Sequence, residues 1–385
     1  MLLENESYPE DTRVRKEALV LVEEGHHVTV LAPRRAGQPR REEIDGVAVR
    51  RYRVPVATGS AVSYVWEYAV AHARLLPRVL GELLKGANVV HLHNPPDTLV
   101  VFGLLARMLR RKVVFDHHDL FPELFELKFG RTPHVRVLRL FQRLSFRVAD
   151  AVIVTNDSQR DVALECGDVP PERVTVVRNG PATASLAAGP RVRDGSLEDP
   201  RLVFVGSLES QDGVLDLPEI LDRLRGLPGR SAAQLTVIGD GSVLPALVQA
   251  CESRGLQAHV RFTGRVGAAE VPQLLAEADI CVDPAPCNEL NHRSTMIKIG
   301  EYLAAGRPVV AFELCETRRT AGGAAWYARC GEIEHFVELL NLLAGSPEDR
   351  RELSDLGLRR APELTWESSA DALRRVYASL YSSSR

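Results

Sequence analysis

Lys298 and Glu301 lie three positions apart, a spacing that puts a cation and a carboxylate on one face of a helix. Such a pair suits a nucleotide, the ammonium on a diphosphate and the carboxylate on ribose hydroxyls. Both sit in Asn291-His-Arg-Ser-Thr-Met-Ile-Lys-Ile-Gly-Glu-Tyr-Leu-Ala-Ala-Gly-Arg-Pro-Val-Val310. Ser294 and Thr295 stand where an N-cap belongs, and 295–305 has good helix propensity. Gly306 supplies the stop, and 308–312 reads as a buried strand. The helix start would offer unpaired N–H groups and partial positive charge. With Arg293 before it and Lys298 one turn in, the place suits a phosphate. A surface ion pair worth a few tenths of a kcal/mol is the competing reading. Against it stands composition: Lys16, Lys85, Lys112 and Lys128 are the other lysines, and the remaining 43 basic residues are arginine. A chain that prefers arginine has lysine at this one place after residue 128.

Four of the eleven histidines fall in two short stretches, His91-Leu-His93-Asn-Pro-Pro-Asp97 and Asp116-His-His-Asp119. Both follow strand-like runs. His-x-His with Asp-His-His-Asp has the residue types of a metal site. The alternative is structural histidines bonding strand-end carbonyls.

The elements that must position these groups alternate strand and helix almost throughout, the pattern of parallel α/β sheets. Strands are expected at 27–32, 47–53, 88–92, 112–116, 151–155 and 174–177, with helices at 12–24, 62–85 and 135–148. Residues 181–200, rich in Ala, Gly, Pro and Ser, read as a linker. A second series follows with strands at 202–205, 234–238, 259–263, 280–283 and 308–312, and helix over 333–381. The expected organisation is an N-terminal Rossmann-like domain over 1–180, the linker 181–200, a C-terminal Rossmann-like domain over 201–365, and a last segment 366–385 packing back on the first domain. A Rossmann strand should open the chain, yet only about five residues precede Glu6-Ser-Tyr-Pro9.

The order and spacing of several motifs resemble family 4 glycosyltransferases, retaining enzymes of the GT-B fold. Lys298-x-x-Glu-Tyr-x-Ala-x-Gly-x-Pro-Val-Val310 is similar to that family's donor segment. Tyr8-Pro-Glu-Asp-Thr-Arg-Val-Arg15 with Glu24-Gly-His-His-Val-Thr-Val-Leu-Ala-Pro33 resembles its first strand-loop-helix-strand. Ala149-Asp-Ala-Val-Ile-Val-Thr155, Val176-Val-Arg-Asn-Gly180, Phe204-Val-Gly-Ser-Leu208, Val237-Ile-Gly-Asp-Gly241 and Val260-Arg-Phe-Thr-Gly264 follow in the family's order. The resemblance covers nearly the whole chain.

The resemblance implies two Rossmann-like, doubly wound α/β domains facing across a cleft, and transfer of a sugar from a nucleoside-diphosphate sugar with retention. The acceptor would be a polysaccharide, a lipid-linked oligosaccharide or a small molecule. Glu301 would hold the ribose, and Gly206, Ser207, Arg293, Ser294, Thr295 and Lys298 would surround the diphosphate. His117, by its side chain or its backbone, would contact the sugar and stabilise charge as the glycosidic bond breaks, with His118 as the alternative. Asp11 and Arg13 would face the acceptor.

Two positions depart from the family pattern. Ser207 and Asp212 stand where many members carry an arginine and a lysine on the diphosphate. Arg293 replaces the first of the usual paired glutamates, leaving Asn291 or Glu289 to substitute on the sugar. These changes keep open a non-catalytic relative that binds a nucleotide or a partner. A further rival, a metal-dependent phosphoesterase using His91, His93, Asp116 and His117, lacks the family's second aspartate at Leu99, and its two stretches lie too close together.

No Asp-x-Asp motif is present, so neither a metal nor another cofactor is expected. Net charge of −3 argues against nucleic-acid binding. No apolar run is long enough to span a membrane and no signal peptide is visible, so a cytoplasmic protein is expected, at the inner face of the membrane if α-helical arginines dock it there. Those arginines are Arg136, Arg139, Arg143 and Arg147, spaced 3, 4 and 4 apart beside Phe141, Leu144 and Val148. The six cysteines, at 166, 251, 281, 287, 315 and 330, read as reduced, mostly buried thiols without zinc spacing.

Overall fold

The computed structural model describes residues 1–55, 61–187, 189, 192–267 and 269–382; the serine-rich end at 383–385 and linker positions 188, 190 and 191 lie outside the described residues. The chain divides into two compact units, Met1–Arg178 with Ser369–Arg385, and Asn179–Ser368.

In the first unit the strands are β1 (Thr29–Pro33), β2 (Arg41–Ile44), β3 (Val47–Tyr52), β4 (Val89–His93), β5 (Lys112–His117), β6 (Ala151–Val154) and β7 (Val174–Val176). Its helices are α1 (Thr12–Glu23), α2 (Ala61–Leu84), α3 (Val100–Met108), α4 (Phe121–Phe129), α5 (Pro133–Val148) and α6 (Asp157–Gly167). β4, β5, β6 and β7 pair in parallel, as do β1 and β3, with β2 antiparallel at the edge. The very short opening strand joins the two sheets. Leu2 bridges Leu31 on one side and Leu92 on the other, both in parallel. Its N–H donates to His91 O at 2.9 Å, and Leu3 N–H donates to Leu31 O at 3.0 Å. The order through this unit is therefore β2-β3-β1-Leu2-β4-β5-β6-β7, reversing between Leu2 and β4.

The second unit contains β8 (Arg201–Val205), β9 (Gln234–Ile238), β10 (Val260–Gly264), β11 (Ile280–Asp283), β12 (Val309–Phe312) and β13 (Ala325–Ala328). They form one parallel sheet in the order β10-β9-β8-β11-β12-β13. Its helices are α7 (Leu217–Arg225), α8 (Leu244–Ser253), α9 (Val271–Ala276), α10 (Glu289–Arg293), α11 (Ile297–Ala304), α12 (Cys315–Ala321), α13 (Ile333–Gly345) and α14 (Pro347–Arg360). Parallel strands covered on both faces must be apolar on both, and β11 and β12 are buried at every position. One face packs Phe204, Val237, Val282 and Phe312 with Leu221 of α7 and Leu340 of α13. The other packs Val203, Cys281 and Ala311 with Ile299 and Leu303 of α11. Described residues of the linker region join this unit: Ala187 N–H donates to Ala304 O at 2.7 Å and Leu197 N–H to Ala344 O at 2.9 Å.

The last helix, α15 (Trp366–Ser382), belongs with the first unit from Ser369 onward. Tyr377 shares a 2.9 Å hydrogen bond with His91 Nδ1, and Arg374 pairs with Glu23 and Glu24 at the end of α1. No described helix is long and apolar enough to cross a membrane.

Two expectations are corrected here. Ser294 and Thr295 do not start a helix: α11 begins at Ile297 with Met296 at its N-cap, without a side-chain cap. Ser294 instead ends the short α10, its hydroxyl donating back to Leu290 O at 2.8 Å. The cysteines are not all free thiols, because Cys287 and Cys330 form a disulfide with Cα atoms 5.7 Å apart. The loops after β11 and β13 bring together positions 43 residues apart, which no local spacing reveals.

Candidate active site

The strand order of the second unit reverses between β8 and β11. Open α/β sheets bind ligands in the crevice at such a reversal, outside the carboxyl ends of the strands. The loop leaving β8 begins at Gly206, whose φ of +153° disfavours a side chain. A Cβ there would stand 3.0 Å from Lys298 Cε. The same loop ends at Gly213, with φ +69°, where a Cβ would meet Pro284 O at 1.9 Å. Backbone of the β8 and β11 loops therefore packs directly together, leaving a glycine-edged floor beside Lys298.

Lys298 is the one buried lysine among the described residues. Its ammonium donates to Asp212 Oδ1 at 2.9 Å and to Asp283 Oδ1 at 3.3 Å, and lies 4.7 Å from the Phe204 ring centroid. Burial disfavours the ammonium, but Asp283 and then Asp212 outweigh it and raise Lys298 above the ordinary lysine value. Burial likewise raises the Asp283 carboxyl, with Lys298 opposing. A compact ammonium fits between two carboxylates and an aromatic face where a planar guanidinium would not. The two carboxylates differ: the Asp283 side chain is 1% exposed and Asp212 16%. Asp212 is the ligand that can swing away. Removing Lys298 would leave two carboxylates facing each other, so alanine there threatens stability as well as binding.

Around this centre the expected donor residues divide. Glu301 is half-buried one turn after Lys298 on α11, Ser207 is exposed on the β8 loop, and Thr295 is half-buried before α11. Arg293 and Glu289 pair with each other along α10 at 3.6 Å, and Glu289 is largely exposed. Asn291 is buried and its Nδ2 donates to Gln211 O and Pro286 O at 2.9 and 2.8 Å. That amide ties the β8 and β11 loops together and is not presented to a sugar, which corrects its assignment as a sugar ligand. Tyr302 serves the scaffold: its hydroxyl accepts from Val205 N–H at 2.9 Å and donates to Val282 O at 3.3 Å.

In the first unit the end of β5 and the residue after it send His117 and His118 to opposite sides, as strand alternation requires. His117 shares the side of Phe115, fully buried against Phe146, with Nε2 3.0 Å from Gln142 Nε2. Burial lowers it to about 3, so it stays neutral in the core. A side chain so enclosed does not reach a sugar, and a side-chain role for His117 is corrected on that ground. His118 points the other way with Asp116. Its Nδ1 lies 3.2 Å from Asp116 Oδ2, and its side chain is 16% exposed. Burial opposes its charge, yet Asp116 outweighs burial and lifts His118 to about 9. His118 is thus an imidazolium at neutral pH.

Arg13 anchors this arrangement and is not an acceptor contact. It is buried, grips both Asp116 oxygens at 2.8 Å, donates to Val177 O at 3.0 Å and lies 3.1 Å from Glu17. Burial acts to raise Asp116, but Arg13 and then His118 dominate and hold it well below the usual carboxylate range. Asp11 caps α1, its Oδ1 accepting from Val14 N–H at 3.0 Å. The ligand-type atoms of Glu17, His91, His93 and Asp116 all lie within 4.8 Å of one another. His117 is not among them, so the four groups named for the rival phosphoesterase do not converge, and Glu17 takes the place of His117. The cation facing Asp116 is already the Arg13 guanidinium, which fits poorly with a metal ion sharing that carboxylate. A second cluster with ligand-type atoms joins Cys287, His292 and Cys330, the cysteines being the disulfide pair.

The chain matches the glycosyl transferase 4-like domain over residues 11–180 and the glycosyl transferases group 1 domain over residues 199–345. It belongs to this glycosyltransferase family, with the GT-B type of fold built from two Rossmann-like domains. It is 34% identical over 167 residues to a glycogen synthase of Mycobacterium tuberculosis, a match covering 43% of this chain and only 37% of that protein's length. A mannosyltransferase of Mycolicibacterium hassiacum, described as an MMP alpha-(1->4)-mannosyltransferase, is 25% identical over 78% of this chain and 72% of its own. Among solved structures, Anabaena Alr3699/HepE in complex with UDP and glucose aligns with a TM-score of 0.71 at 16% identity, covering 99% of this chain and 98% of that one. At that identity the likeness establishes the fold alone.

Sequence reasoning missed the partners of Lys298. Asp212 was noticed as an acid where a lysine is usual, but only the fold shows that it neutralises Lys298. His118 was the alternative to His117 in the sequence reading; the choice between them comes from burial, His117 being enclosed and His118 16% exposed.

Proposed function

We propose that the protein is a retaining glycosyltransferase that takes a sugar from a nucleoside-diphosphate donor without a metal ion. The observation supporting this most strongly is the buried Lys298 beside Gly206, at the β8/β11 reversal of the second unit. In this reading the diphosphate displaces Asp212 from Lys298 and gains the ammonium, the glycine-edged backbone and Arg293. Glu301 accepts from ribose hydroxyls. Fixed positive groups then stabilise the departing diphosphate where charge develops. The His118 imidazolium, oriented by Asp116, is a hydrogen-bond donor at the first unit's own crevice. The acceptor sits at the reversal point of the first unit, whose strand ends carry His118 and Asp119. The curated relatives act on different substrates, so family membership leaves sugar and acceptor open.

We also propose that α5 rests on an anionic membrane surface, with the protein on the cytoplasmic side where nucleotide sugars are made. Arg136, Arg139, Arg143 and Arg147 are all exposed, with Val137 and Leu140 exposed among them. Arg139 also pairs with Glu126 at 3.3 Å, so the stripe is partly compensated.

The test is thermal unfolding against a panel of nucleoside diphosphates and nucleotide sugars, with and without EDTA. A ligand at a hundred times its dissociation constant adds about 2.7 kcal/mol. The expected outcome is stabilisation by one nucleotide series, unchanged by EDTA, with turnover of the matching nucleotide sugar. Stabilisation without turnover on any acceptor would favour the non-catalytic relative.

A further inference from the structure

The first unit contains a cavity of about 700 Å³ walled by α2, α4 and α5. That size lies within the range of small-ligand pockets, about 300–1,000 Å³. Its walls carry Tyr64, Tyr68, Phe121, Phe125, Phe129 and Phe141. These rings already contact one another, Phe125 and Phe129 at 4.6 Å and Tyr68 and Phe121 at 6.2 Å. The wall is thus an aromatic lining packed around open space.

Its position ties it to chemistry. Asn5, Pro95, Thr98 and Asp119 form one end. These follow the opening strand, β4 and β5, the carboxyl-end crevice where this unit's strand order reverses. Asp119 adjoins His118.

The lining also includes side chains that stand in solvent, Val65 at 64% exposure and Val137 at 51%. Lys128 lines the cavity too, its ammonium 2.9 Å from Tyr64 O and 5.1 Å from that ring. Arg136 and Arg143 are exposed on the adjoining α5. Apolar walls beside exposed cations complement one kind of molecule.

We propose that this cavity holds the apolar chain of an amphiphilic acceptor with an anionic head group, a lipid-linked acceptor and not a free sugar or polysaccharide. The chain lies among the aromatic rings, and the anion meets Lys128. This rests on the transferase reading, whose acceptor class it specifies.

The test titrates the full-length protein by calorimetry with alkyl monophosphates of four, eight and twelve carbons below their micelle concentrations. Inorganic phosphate and the nucleoside diphosphates UDP, GDP and ADP are titrated in parallel. Affinity should rise with chain length, by up to roughly fourfold per buried methylene, while inorganic phosphate does not compete. Val65→Asp and Val137→Asp change exposed side chains, so folding should survive. Each should weaken the twelve-carbon ligand at least tenfold with melting temperature and nucleotide affinity unchanged. Affinity independent of chain length, or indifferent to both substitutions, would overturn the proposal. So would binding to anionic vesicles without binding of the monomeric amphiphile, which is surface adsorption. Loss of nucleotide binding alone would sink the transferase reading and leave the cavity standing; chain-independent binding with intact nucleotide binding would sink the cavity alone.

Discussion

The two units reverse their strand order in the same way and equip the resulting crevices differently. In the first, the charge is sealed inside: Arg13 and Asp116 are buried and consume each other, and only His118 projects from the cluster. In the second, Lys298 is held by one buried and one partly exposed carboxylate. The first crevice is a rigid ionic scaffold beside an aromatic cavity; the second is a cation with a replaceable partner. Under the two proposals above, one topology serves an apolar acceptor bed and a phosphate site, and the difference lies in which charge can be released.

The largest expected effect breaks the sealed side. Arg13→Ala strands Asp116 in the interior and should cost about 3–5 kcal/mol. At roughly 2–4 °C per kcal/mol for units of this size, the melting transition of the first unit should fall visibly in a calorimetric scan. A shift under a degree would mean that Asp116 finds another partner.

The second unit is stapled where the first relies on ions. Cys287→Ser in protein purified oxidised should cost about 2–4 kcal/mol against denaturant. Thiol titration of the native chain checks the premise: four free thiols are expected, from Cys166, Cys251, Cys281 and Cys315. Six would place the pair in its reduced state and remove the predicted loss.

A smaller effect sharpens the ionic side. His118 is raised from its ordinary value to about 9, with Asp116 outweighing burial. A raised histidine contributes stability that is complete below about 6.5 and fades as pH rises through about 9. Native protein should lose stability across that window, and His118→Gln should lose less. Parallel curves for the two would remove the His118–Asp116 pair from the account.

The sheet architecture was legible because buried parallel strands are continuous apolar runs. β9 and β11 start and end where their sequences indicate. Arg41-Glu-Glu-Ile44 was not legible, since a polar edge strand has neither alternation nor an apolar run. Ala325-Trp-Tyr-Ala328 was too short to stand out. Lys298 and Glu301 announced themselves by type and spacing. The carboxylates that occupy Lys298 come from positions 86 and 15 residues away, and that convergence is a property of the fold alone. Arg13 was assigned to the acceptor by resemblance; its burial is not legible locally because its partner lies 103 positions on.

The central claim is that Lys298 is a phosphate site whose resident carboxylate, Asp212, gives way to the donor. Calorimetric titration of the nucleoside diphosphate selected by the stability panel into native, Asp212→Asn and Lys298→Met protein tests it most directly. Removing the competing charge should tighten binding in Asp212→Asn, by about 1 kcal/mol or more given the usual worth of a charge-assisted hydrogen bond. Lys298→Met should abolish detectable binding; its melting temperature should also fall because Asp212 and Asp283 lose their cation, so it is titrated at a temperature where circular dichroism shows it folded. Equal affinity in all three proteins, or weaker binding in Asp212→Asn, would contradict the account.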